Sequence, residues 1–415
     1  METRSKQLHS GSLYWPHTIS KVPSYPTLNK RISTQVAIIG GGMTGALCAA
    51  VLAKTGISTV LVEGGKVASA STAANTGLLQ FSNDIMLYEL AEQIGELKAV
   101  QFYKECQRAL KALAELASSI PFDTGFHVRK SLYYANDVID AAKLYKEYML
   151  LSKYAFPVGW DLPEALARRI PFRKEAALVT RGDAEINPVR FAHGLIAQAA
   201  WNQVRVFEHT RVQEIQRKNG AFIIHTESGE ISAHYIVRAS GYLPGINNPS
   251  RIKPILQRSY AMTTAANAVP ESWPGDYMMW ETARPYFYFR TTPDGRVIAG
   301  GLDEERQDPV TAEHELKVRT DLLITELQKL FPDSRFEAEY AWCGTFGESE
   351  DGLPYLGEDV EQPGIFHALG CGGNGTVYGM IAAEMLKDYV NGRKHPLTSL
   401  LAPGRSAAEQ ISIII

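Results

Sequence analysis

The chain has 415 residues, of which 45% are hydrophobic and 21% charged, and its formal net charge at pH 7 is -3. This length exceeds what one hydrophobic core usually supports, so we expect two domains. Acidic and basic residues are interspersed and nearly balanced, which argues against binding to nucleic acid or to an anionic membrane surface. No apolar run reaches the ~18 residues of a membrane span, and residues 1–12 lack the apolar centre of a signal peptide. We therefore expect a soluble cytoplasmic protein.

The cysteines and histidines do not suggest a metal site or a disulfide framework. Neither the ten histidines nor the four cysteines show metal-ligand or disulfide spacing. The cysteines are Cys48, Cys106, Cys343 and Cys371. Cys48 and Cys106 fall on apolar helical faces, which is typical of buried thiols.

A glycine-rich turn follows the first strongly apolar strand, predicted over residues 36–39. Gly40 allows a tight turn, Gly42 lets the backbone approach a pyrophosphate, and Gly45 lets the next helix pack closely on its strand. Amides at the start of that helix, beginning with Met43 and Thr44, favour anions. The motif therefore predicts a dinucleotide cofactor.

The residues after the turn support this interpretation. A small-residue helix is predicted over 46–55 and a second strand over 59–62, and Glu63 directly follows that strand. A carboxylate about 20 residues beyond the last glycine can bind both ribose hydroxyls and would repel a 2′-phosphate. The alternative is an ordinary glycine turn, which would not require the helix and the acidic residue to follow at the spacing seen here.

The middle of the chain reads as inserted helices followed by antiparallel strands. Apolar residues recur at helical spacing over 97–117, and Asn187-Pro188 predicts the start of a further helix. From residue 204 the period changes to two, with strands at 212–216, 221–226 and 231–238. The last strand leads into Ala239, Ser240 and Gly241, a second expected cofactor contact. Further strands are predicted at 255–264, 285–291 and 297–301, and a helix at 313–330.

A second glycine cluster, residues 370–376, precedes a helix predicted over 377–391. A reduced flavin carries negative charge at N1 and the C2 carbonyl, and a helix N-terminus directed there would stabilise it. This favours a flavin over a nicotinamide. The alternative is a glycine loop that is packed for shape alone.

Taken together, these motifs resemble the D-amino-acid-oxidase-like family of FAD oxidoreductases, which includes glycine, sarcosine and gamma-glutamylputrescine oxidases. The resemblance covers most of the chain. The matching segments are 40–45, Ala68 to Ser71, Asn75 to Gly77, Tyr286 to Arg290, Gly295-Arg296, Trp342 to Gly344, Asp351 to Gly357 and the second glycine cluster. Tyr14-Trp15 also resembles the N-terminal extension of the putrescine-type branch.

The resemblance implies a mixed α/β fold in which a Rossmann-like FAD-binding domain is interleaved with a substrate domain on a mainly antiparallel mixed sheet. The expected FAD-binding segments are 30–82, 183–250 and 340–395. The expected substrate-binding segments are 83–182 and 251–339, with terminal extensions at 1–29 and 396–415.

The resemblance also implies the chemistry. A hydride moves from the carbon beside an unprotonated amine to flavin N5, water hydrolyses the imine, and O2 reoxidises the flavin to give H2O2. Because the cofactor carries the difficult step, we expect neither a protein nucleophile nor a metal. The expected cofactor-binding residues are Gly40, Gly42, Met43, Thr44, Gly45, Glu63, Gly64, Ser71, Thr72, Asn75, Thr76, Val212, Ala239, Ser240, Gly241, Gly372, Gly373, Asn374, Gly375 and Thr376.

The expected substrate wall is aromatic. Strand alternation places Tyr286, Tyr288 and Arg290 on one face, which suits a polar or anionic ligand, although a packed strand with an edge arginine is an equal alternative. Trp342 is expected to contribute to an aromatic cage for an amine.

Phe346 stands where glycine and D-amino-acid oxidases place a carboxylate-binding arginine, so a salt link to an α-carboxylate is lost there. Val377 and Val297 stand closest to the carboxylate-binding and oxygen-activating lysines of sarcosine oxidases. Oxidation of glycine, sarcosine or a simple D-amino acid is therefore disfavoured unless Arg290 or Arg258 binds the anion. An amine, or a substrate whose carboxylate lies further away, is favoured.

A covalent flavin is not expected. The flavin-linked histidine of dimethylglycine-type dehydrogenases has no counterpart, because Ala74 and Asn75 occupy that region. Cys343 lies within about one residue of the flavin-linked cysteine of sarcosine oxidases, but the Trp-x-Gly alignment favours an ordinary small residue there.

Three functions remain open at this stage. The first is an amine or amino-acid oxidase that uses O2. The second is a dehydrogenase of the same fold that passes electrons to a quinone or carrier protein. The third is a flavoprotein that binds FAD structurally and acts as an assembly factor.

Overall fold

The computed structural model describes residues 8–241, 252, 254–306, 308–370 and 372–405. Parts of both predicted terminal extensions (1–7 and 406–415), the end of one predicted FAD-binding segment (242–250) and Cys371 lie outside the described residues. The strands in chain order are β1 (His9–Gly11), β2 (Arg31–Ile39), β3 (Thr59–Val62), β4 (Leu78–Leu79), β5 (His127–Tyr134), β6 (Val158–Asp161), β7 (Ala177–Glu185), β8 (Arg205–Phe207), β9 (Val212–Lys218), β10 (Ala221–Thr226), β11 (Glu230–Arg238), β12 (Ile255–Thr264), β13 (Tyr277–Glu281), β14 (Phe287–Thr291), β15 (Val297–Glu304), β16 (Ala338–Glu348), β17 (Tyr355–Glu358) and β18 (Ile365–Leu369). The α-helices are α1 (Met43–Ala53), α2 (Ser71–Ala74), α3 (Leu87–Ile94), α4 (Glu96–Ser119), α5 (Val138–Lys153), α6 (Pro163–Leu166), α7 (Pro188–Trp201), α8 (Glu313–Leu330) and α9 (Gly375–Val390).

An eight-stranded sheet carries the glycine turn. Its main path is β17-β18-β11-β2-β3-β8, in which β18, β11, β2, β3 and β8 are parallel and β17 is antiparallel. The predicted meander, β9 to β11, joins this sheet through β11. Its first corner uses Asn219 and Gly220, both with positive φ, as a tight hairpin turn requires.

Helix α1 is buried along nearly its whole length because its residues are small or apolar on every side. It packs against α7 and α9. The predicted cap of α7 is confirmed, since Asn187 Oδ1 accepts a hydrogen bond from the Arg190 amide at 3.0 Å. Helix α1 therefore lies fixed between two other helices with its N-terminus at the end of β2.

A ten-stranded sheet forms the second layer, with the main path β1-β16-β12-β15-β14-β13-β5-β7-β4 and β6 paired to β7. All its pairings are antiparallel except β13 with β5. Helix α8 packs on β12, β15 and β16. The predicted fold class, a Rossmann-like sheet beside a mainly antiparallel mixed sheet, is confirmed.

The sheets do not divide the chain at every predicted boundary. Residues 340–348, placed in the FAD-binding domain, lie in β16 of the ten-stranded sheet, and β4 lies in the same sheet. The expected N-terminal extension contains β1, which pairs with β16. The sequence of a short strand does not reveal which distant strand will pair with it. None of the described helices is both long and apolar enough to cross a membrane.

Candidate active site

A cavity of about 570 Å³ lies between the two sheets, and we call it the central cavity. The predicted residues that line it on the cofactor side are Gly40, Gly42, Met43, Thr44, Glu63, Gly64, Ser71, Thr72, Asn75, Thr76, Val212, Ala239, Ser240, Gly241, Gly372, Gly373, Asn374, Gly375 and Thr376. The predicted residues that line it on the substrate side are Tyr286, Tyr288, Trp342 and Phe346. Of the predicted set, Gly45 and Arg290 do not line the central cavity.

The glycine turn presents the N-terminus of α1 to the central cavity. No side chain caps this helix through its N-cap, Gly42. The Thr72 hydroxyl accepts a hydrogen bond from the Met43 amide at 2.9 Å. A Cβ at Gly42 would have only the Thr72 hydroxyl within 4 Å, at 3.2 Å, so the space beside this backbone is open to a ligand.

Gly40 and Gly45 serve the turn itself. Gly40 has φ of +112°, and a Cβ there would overlap the Ala239 carbonyl. A Cβ at Gly45 would overlap the Gly40 carbonyl. Gly45 therefore allows α1 to pack on the turn, and its absence from the cavity wall corrects its assignment as a cofactor contact.

Glu63 follows β3 at the cavity wall, where two backbone amides donate to its carboxylate. Its Oε2 accepts from the Gly41 amide at 2.8 Å, and its Oε1 accepts from the Gly65 amide at 2.7 Å. Each oxygen keeps further acceptor capacity for a ribose hydroxyl. Three cationic residues that the sequence analysis missed also line the cavity: Lys66, Arg211 and Arg238. Lys66 lies three residues after Glu63, Arg211 directly precedes Val212, and Arg238 is the last residue of β11.

Three side chains donate to three successive carbonyls, at the last residue of α2 and in the loop that follows it. Trp342 Nε1 donates to the Ala74 carbonyl at 2.8 Å, and Trp15 Nε1 donates to the Asn75 carbonyl at 2.6 Å. Arg290 donates to the Thr76 carbonyl through Nε at 3.0 Å and Nη2 at 2.8 Å. Two of the donors come from the ten-stranded sheet, so this sheet positions a loop that contacts the cofactor side of the central cavity.

Arg290 is therefore a positioning residue, which corrects its expected place in the substrate wall. It is 1% exposed, and its Nη1 lies 3.3 Å from Glu185 Oε2. Arg258 is equally committed, because its Nε donates to the Asp308 carbonyl and its Nη1 to Glu315. Neither arginine is available for an α-carboxylate.

The second glycine cluster reaches the cavity, but part of it is held by the protein. The Gly372 amide donates to the Gly347 carbonyl at 2.8 Å, and the Gly373 amide donates to Asp84 Oδ2 at 2.7 Å. These two amides are not free for a flavin, contrary to expectation, because the Gly347 carbonyl and the Asp84 carboxylate already accept from them. The first residues of α9, Gly375 and Thr376, line the cavity, and no side chain caps this helix through its N-cap, Asn374.

One cross-strand row of the ten-stranded sheet forms the opposite wall. Neighbouring strands place Tyr133, Trp280, Tyr288, Gly300, Ala261 and Trp342 side by side in that order. The rings of Tyr133 and Trp280 are stacked with centroids 3.6 Å apart. The Tyr288 phenol lies over Gly300, because a Cβ at Gly300 would lie 2.6 Å from Tyr288 Cζ.

Tyr286 and Tyr288 both line this wall, and burial raises the pKa of each well above the ordinary value for a phenol. The Thr76 hydroxyl donates to the Tyr288 hydroxyl at 3.2 Å. Both phenols are therefore protonated at neutral pH and can donate hydrogen bonds to a ligand.

Buried polar atoms without partners indicate that a polar ligand completes this wall. Among the described residues, Ser82 Oγ, Trp280 Nε1 and Thr345 Oγ1 line the cavity and have no hydrogen-bond partner. Buried polar groups are normally paired. Together with the open backbone at Gly42 and the uncapped helix α9, they fit an extended dinucleotide that binds at both helices.

Cys343, considered for covalent flavin attachment, and Val297 and Val377, at the positions of the sarcosine oxidase lysines, do not line the central cavity. Cys343 is fully buried in the apolar core that contains Tyr260 and Phe331, and burial raises the pKa of its thiol. Val297 and Val377 are also fully buried in apolar cores. Within the part of the chain that the structure describes, no cluster of His, Cys, Asp or Glu could hold a metal ion.

Comparisons with known proteins identify the family of the chain. The sequence pattern of the family described as FAD dependent oxidoreductase (DAO) matches residues 35–389. The glycine oxidase of Geobacillus kaustophilus (strain HTA426) is 27% identical over 384 residues, covering 86% of this chain and 92% of that protein. The gamma-glutamylputrescine oxidoreductase of Escherichia coli (strain K12) is 24% identical, covering 92% of this chain and 89% of that protein.

The fold has a close match among solved structures. The crystal structure of glycine oxidase from Geobacillus kaustophilus superposes with a TM-score of 0.76 at 22% identity, covering 90% of this chain and 99% of that one. The family match spans most of the chain and includes both glycine clusters. The chain therefore belongs to the DAO family of FAD-dependent oxidoreductases.

Proposed function

We propose that this protein oxidises a carbon–nitrogen bond of a primary or secondary amine, or of an amino acid, to an imine, with O2 as the electron acceptor and H2O2 as the second product. When bound, FAD supplies the hydride acceptor for that step. The observation that carries the proposal is the central cavity itself. It joins two helix N-termini on one side to an aromatic wall with unpartnered polar atoms on the other.

The residues of the chain would hold the cofactor without a covalent bond. Gly42, Thr44 and Glu63 would bind its pyrophosphate and ribose, and the start of α9 would face the flavin ring. No cysteine or histidine is among the described residues that line the cavity. The flavin should therefore leave the protein on denaturation, and a denatured band that keeps its yellow colour would contradict this.

The substrate wall favours an uncharged reacting amine. Tyr286 and Tyr288 are protonated at neutral pH, so they can orient a nitrogen lone pair but cannot remove its proton. The amine must therefore bind in its free-base form. Turnover at low substrate concentration should rise with pH until the amine in solution is deprotonated.

An anaerobic screen tests the proposal. Amines, N-methyl amino acids, α-amino acids and glutamylated polyamines are mixed with the holoenzyme without O2, and the flavin absorbance is followed. At least one class should bleach the flavin, and admitting air should restore the colour with one H2O2 per turnover. If no compound bleaches the flavin, the oxidase proposal fails and a structural FAD-binding protein is favoured.

A dehydrogenase of the same fold is the second candidate. Lys66, on the cofactor side, is the single lysine among the described cavity-lining residues, and Val297 is buried in the core. The sheet side therefore offers no ammonium group to assist O2 reduction. A peroxide yield far below one per turnover, with rapid turnover restored by a quinone, would favour this candidate.

A further inference from the structure

A short segment near the start of the chain, residues 8–18, lies before the family pattern, which begins at residue 35. Membership of the family therefore assigns this segment no role. It consists of β1 and a 3₁₀ helix, Trp15–Thr18, joined by a few residues. We call residues 8–18 the N-terminal segment.

One end of the N-terminal segment is fixed to the ten-stranded sheet. β1 extends this sheet beyond β16, and Gly11 lies opposite Trp342 in the pairing. The Thr345 amide donates to the Leu8 carbonyl at 2.7 Å. Leu8 itself lines the central cavity. The segment therefore covers the strand that carries Trp342 and Thr345 to the cavity wall.

The other end of the N-terminal segment is fixed to α7, one of the two helices that pack on α1. Arg190 donates to the Thr18 carbonyl through Nε at 3.0 Å and Nη2 at 2.6 Å. Asn187 Nδ2 donates to the Thr18 hydroxyl at 2.7 Å. The segment therefore spans from the substrate sheet to a helix of the cofactor side, with Trp15 between its two anchors.

Trp15 is buried at the point where the segment crosses the loop after α2. It is 3% exposed and belongs to the buried cluster that contains Ala73 and Trp342. Its Nε1 donates to the Asn75 carbonyl at 2.6 Å, and the Arg290 guanidinium lies 5.4 Å from the centre of its ring. Trp15 does not line the central cavity. Any effect of Trp15 on a ligand there must therefore pass through the loop.

The loop that Trp15 holds faces both sides of the central cavity. Asn75 and Thr76 line it on the cofactor side. Asn75 Oδ1 also accepts from the Gly77 amide at 2.6 Å, which closes a turn within the loop. The Thr76 hydroxyl donates to the Tyr288 hydroxyl on the opposite wall at 3.2 Å. A shift of the Asn75 carbonyl would therefore move groups on both walls.

We propose that the N-terminal segment is a working part of the cofactor site and that Trp15 is a positioning residue for FAD. Its indole N–H fixes the Asn75 carbonyl, and this fixes the side chains of Asn75 and Thr76 that face the cofactor. Without this donor the carbonyl must find another partner, so the loop shifts. The inference goes beyond the proposed function, because it concerns retention of FAD and not the substrate or the electron acceptor.

The test replaces the hydrogen bond and keeps the aromatic ring. Trp15→Phe removes the N–H donor, and FAD release from the diluted holoenzyme is followed by the increase in flavin fluorescence. Release should be about 5-fold faster than from the wild type. The visible circular dichroism of the bound flavin should also change, which a loss of stability alone would not cause. Trp201→Phe is the matched control, because Trp201 is 87% exposed, and it should release FAD at the wild-type rate.

A double variant shows whether Trp15 acts through the loop. Asn75→Ala opens the turn to Gly77 and should also speed FAD release. If both changes act on the same loop, the double variant should release FAD less than about twice as fast as the faster single variant. Release at the product of the two single effects would show that Trp15 acts independently of the loop, and it would overturn the proposal.

A second variant loosens the segment from its far end. Arg190 does not line the central cavity, so Arg190→Met cannot remove a contact with FAD. It should nevertheless speed FAD release about 2-fold, because Thr18 loses two hydrogen bonds. This variant tests the proposal even if Trp15→Phe does not fold, and FAD release at the wild-type rate from either folded variant would overturn it. None of these measurements involves turnover, so they keep their meaning if no amine reduces the flavin and the oxidase proposal fails.

Discussion

Arg290 Nη1 and Glu185 Oε2 lie 3.3 Å apart, and both side chains are almost completely removed from solvent. Arg290 also donates to the carbonyls of Thr76 and Ile186. Glu185 accepts in addition from Arg129 at 2.7 Å. The ion pair therefore ties the strand that carries Tyr288 to the loop that contacts the cofactor side of the central cavity.

Replacing Arg290 should cost both stability and cofactor affinity. Arg290→Met leaves Glu185 buried with a weaker counter-charge, and we expect a loss of about 3 kcal/mol in the free energy of unfolding. The loop at Thr76 also loses one of its three anchors, so FAD should dissociate more readily. Chemical denaturation and flavin titration of the apoprotein measure the two effects.

The control for this variant is Arg335→Met, because Arg335 forms an exposed pair with Glu337. Exposed pairs contribute little, so this change should leave both stability and FAD affinity near the wild-type values. An Arg290→Met protein with wild-type stability and wild-type FAD affinity would show that the buried pair does not position the loop.

The two glycines Gly42 and Gly45 should respond differently to the same substitution. A Cβ at Gly42 meets only the Thr72 hydroxyl, whereas a Cβ at Gly45 overlaps the Gly40 carbonyl. Gly42→Ala should therefore keep the apoprotein folded and weaken FAD binding at least ~10-fold. Gly45→Ala should lower the free energy of unfolding by about 3 kcal/mol, as in an overpacked core.

Apoprotein melting and flavin titration separate the two glycine variants. If Gly42→Ala binds FAD with unchanged affinity, the pyrophosphate does not approach this backbone. If the Gly45→Ala protein has the same melting temperature as the wild type, the close packing of α1 on the turn is not needed for stability.

The sequence was informative where the signal is local. The glycine turn, α1, β3 and Glu63 follow one another within about 25 residues, so spacing alone could place them against one ligand. The role of Asn187 as a helix cap could be predicted for the same reason, since its partner Arg190 is only three residues further along the chain. Both follow from short-range backbone geometry.

The role of Arg290 could not be found in this way. Alternation correctly placed Arg290 on the face of Tyr288, but its partner Glu185 is 105 residues away in the chain. Only the strand order of the ten-stranded sheet brings such residues together, and pattern reasoning on one sequence does not supply that order.

Restoring a cation at residue 346 should change substrate preference. Phe346 lines the cavity, and the sequence analysis placed it at the position of the carboxylate-binding arginine of glycine and D-amino-acid oxidases. Phe346→Arg should raise kcat/KM for small α-amino acids about 10-fold, because a charge-assisted hydrogen bond to the carboxylate becomes available.

Phe346→Leu is the control for this prediction, since it keeps an apolar side chain and introduces no charge. Steady-state kinetics with glycine and alanine decide the result. An unchanged KM for α-amino acids in Phe346→Arg would mean that any carboxylate is recognised elsewhere in the cavity.

The last prediction concerns Glu147, which lies 2% exposed beneath the start of α3. Its Oε1 and Oε2 accept hydrogen bonds from the amides of Leu87 and Tyr88 at 2.9 and 3.0 Å. Burial is the largest effect and raises the pKa of this carboxyl group to about 7, although the two amides oppose the change. The folded protein therefore holds a proton at Glu147 over a pH range in which the unfolded chain has released it.

The direction of the pH dependence follows from this difference. Between the unfolded pKa of 4.5 and the folded pKa of about 7, the folded state binds more protons, so stability decreases as pH rises and the decrease stops above about pH 7. The contribution is on the order of 3 kcal/mol across that window. Glu147→Gln cannot titrate, so its melting temperature should fall less between pH 5 and pH 8 than that of the wild type. Glu92→Gln, at an exposed position of α3, should retain the wild-type dependence, and a Glu147→Gln protein that also retains it would show that Glu147 is ionised throughout this range.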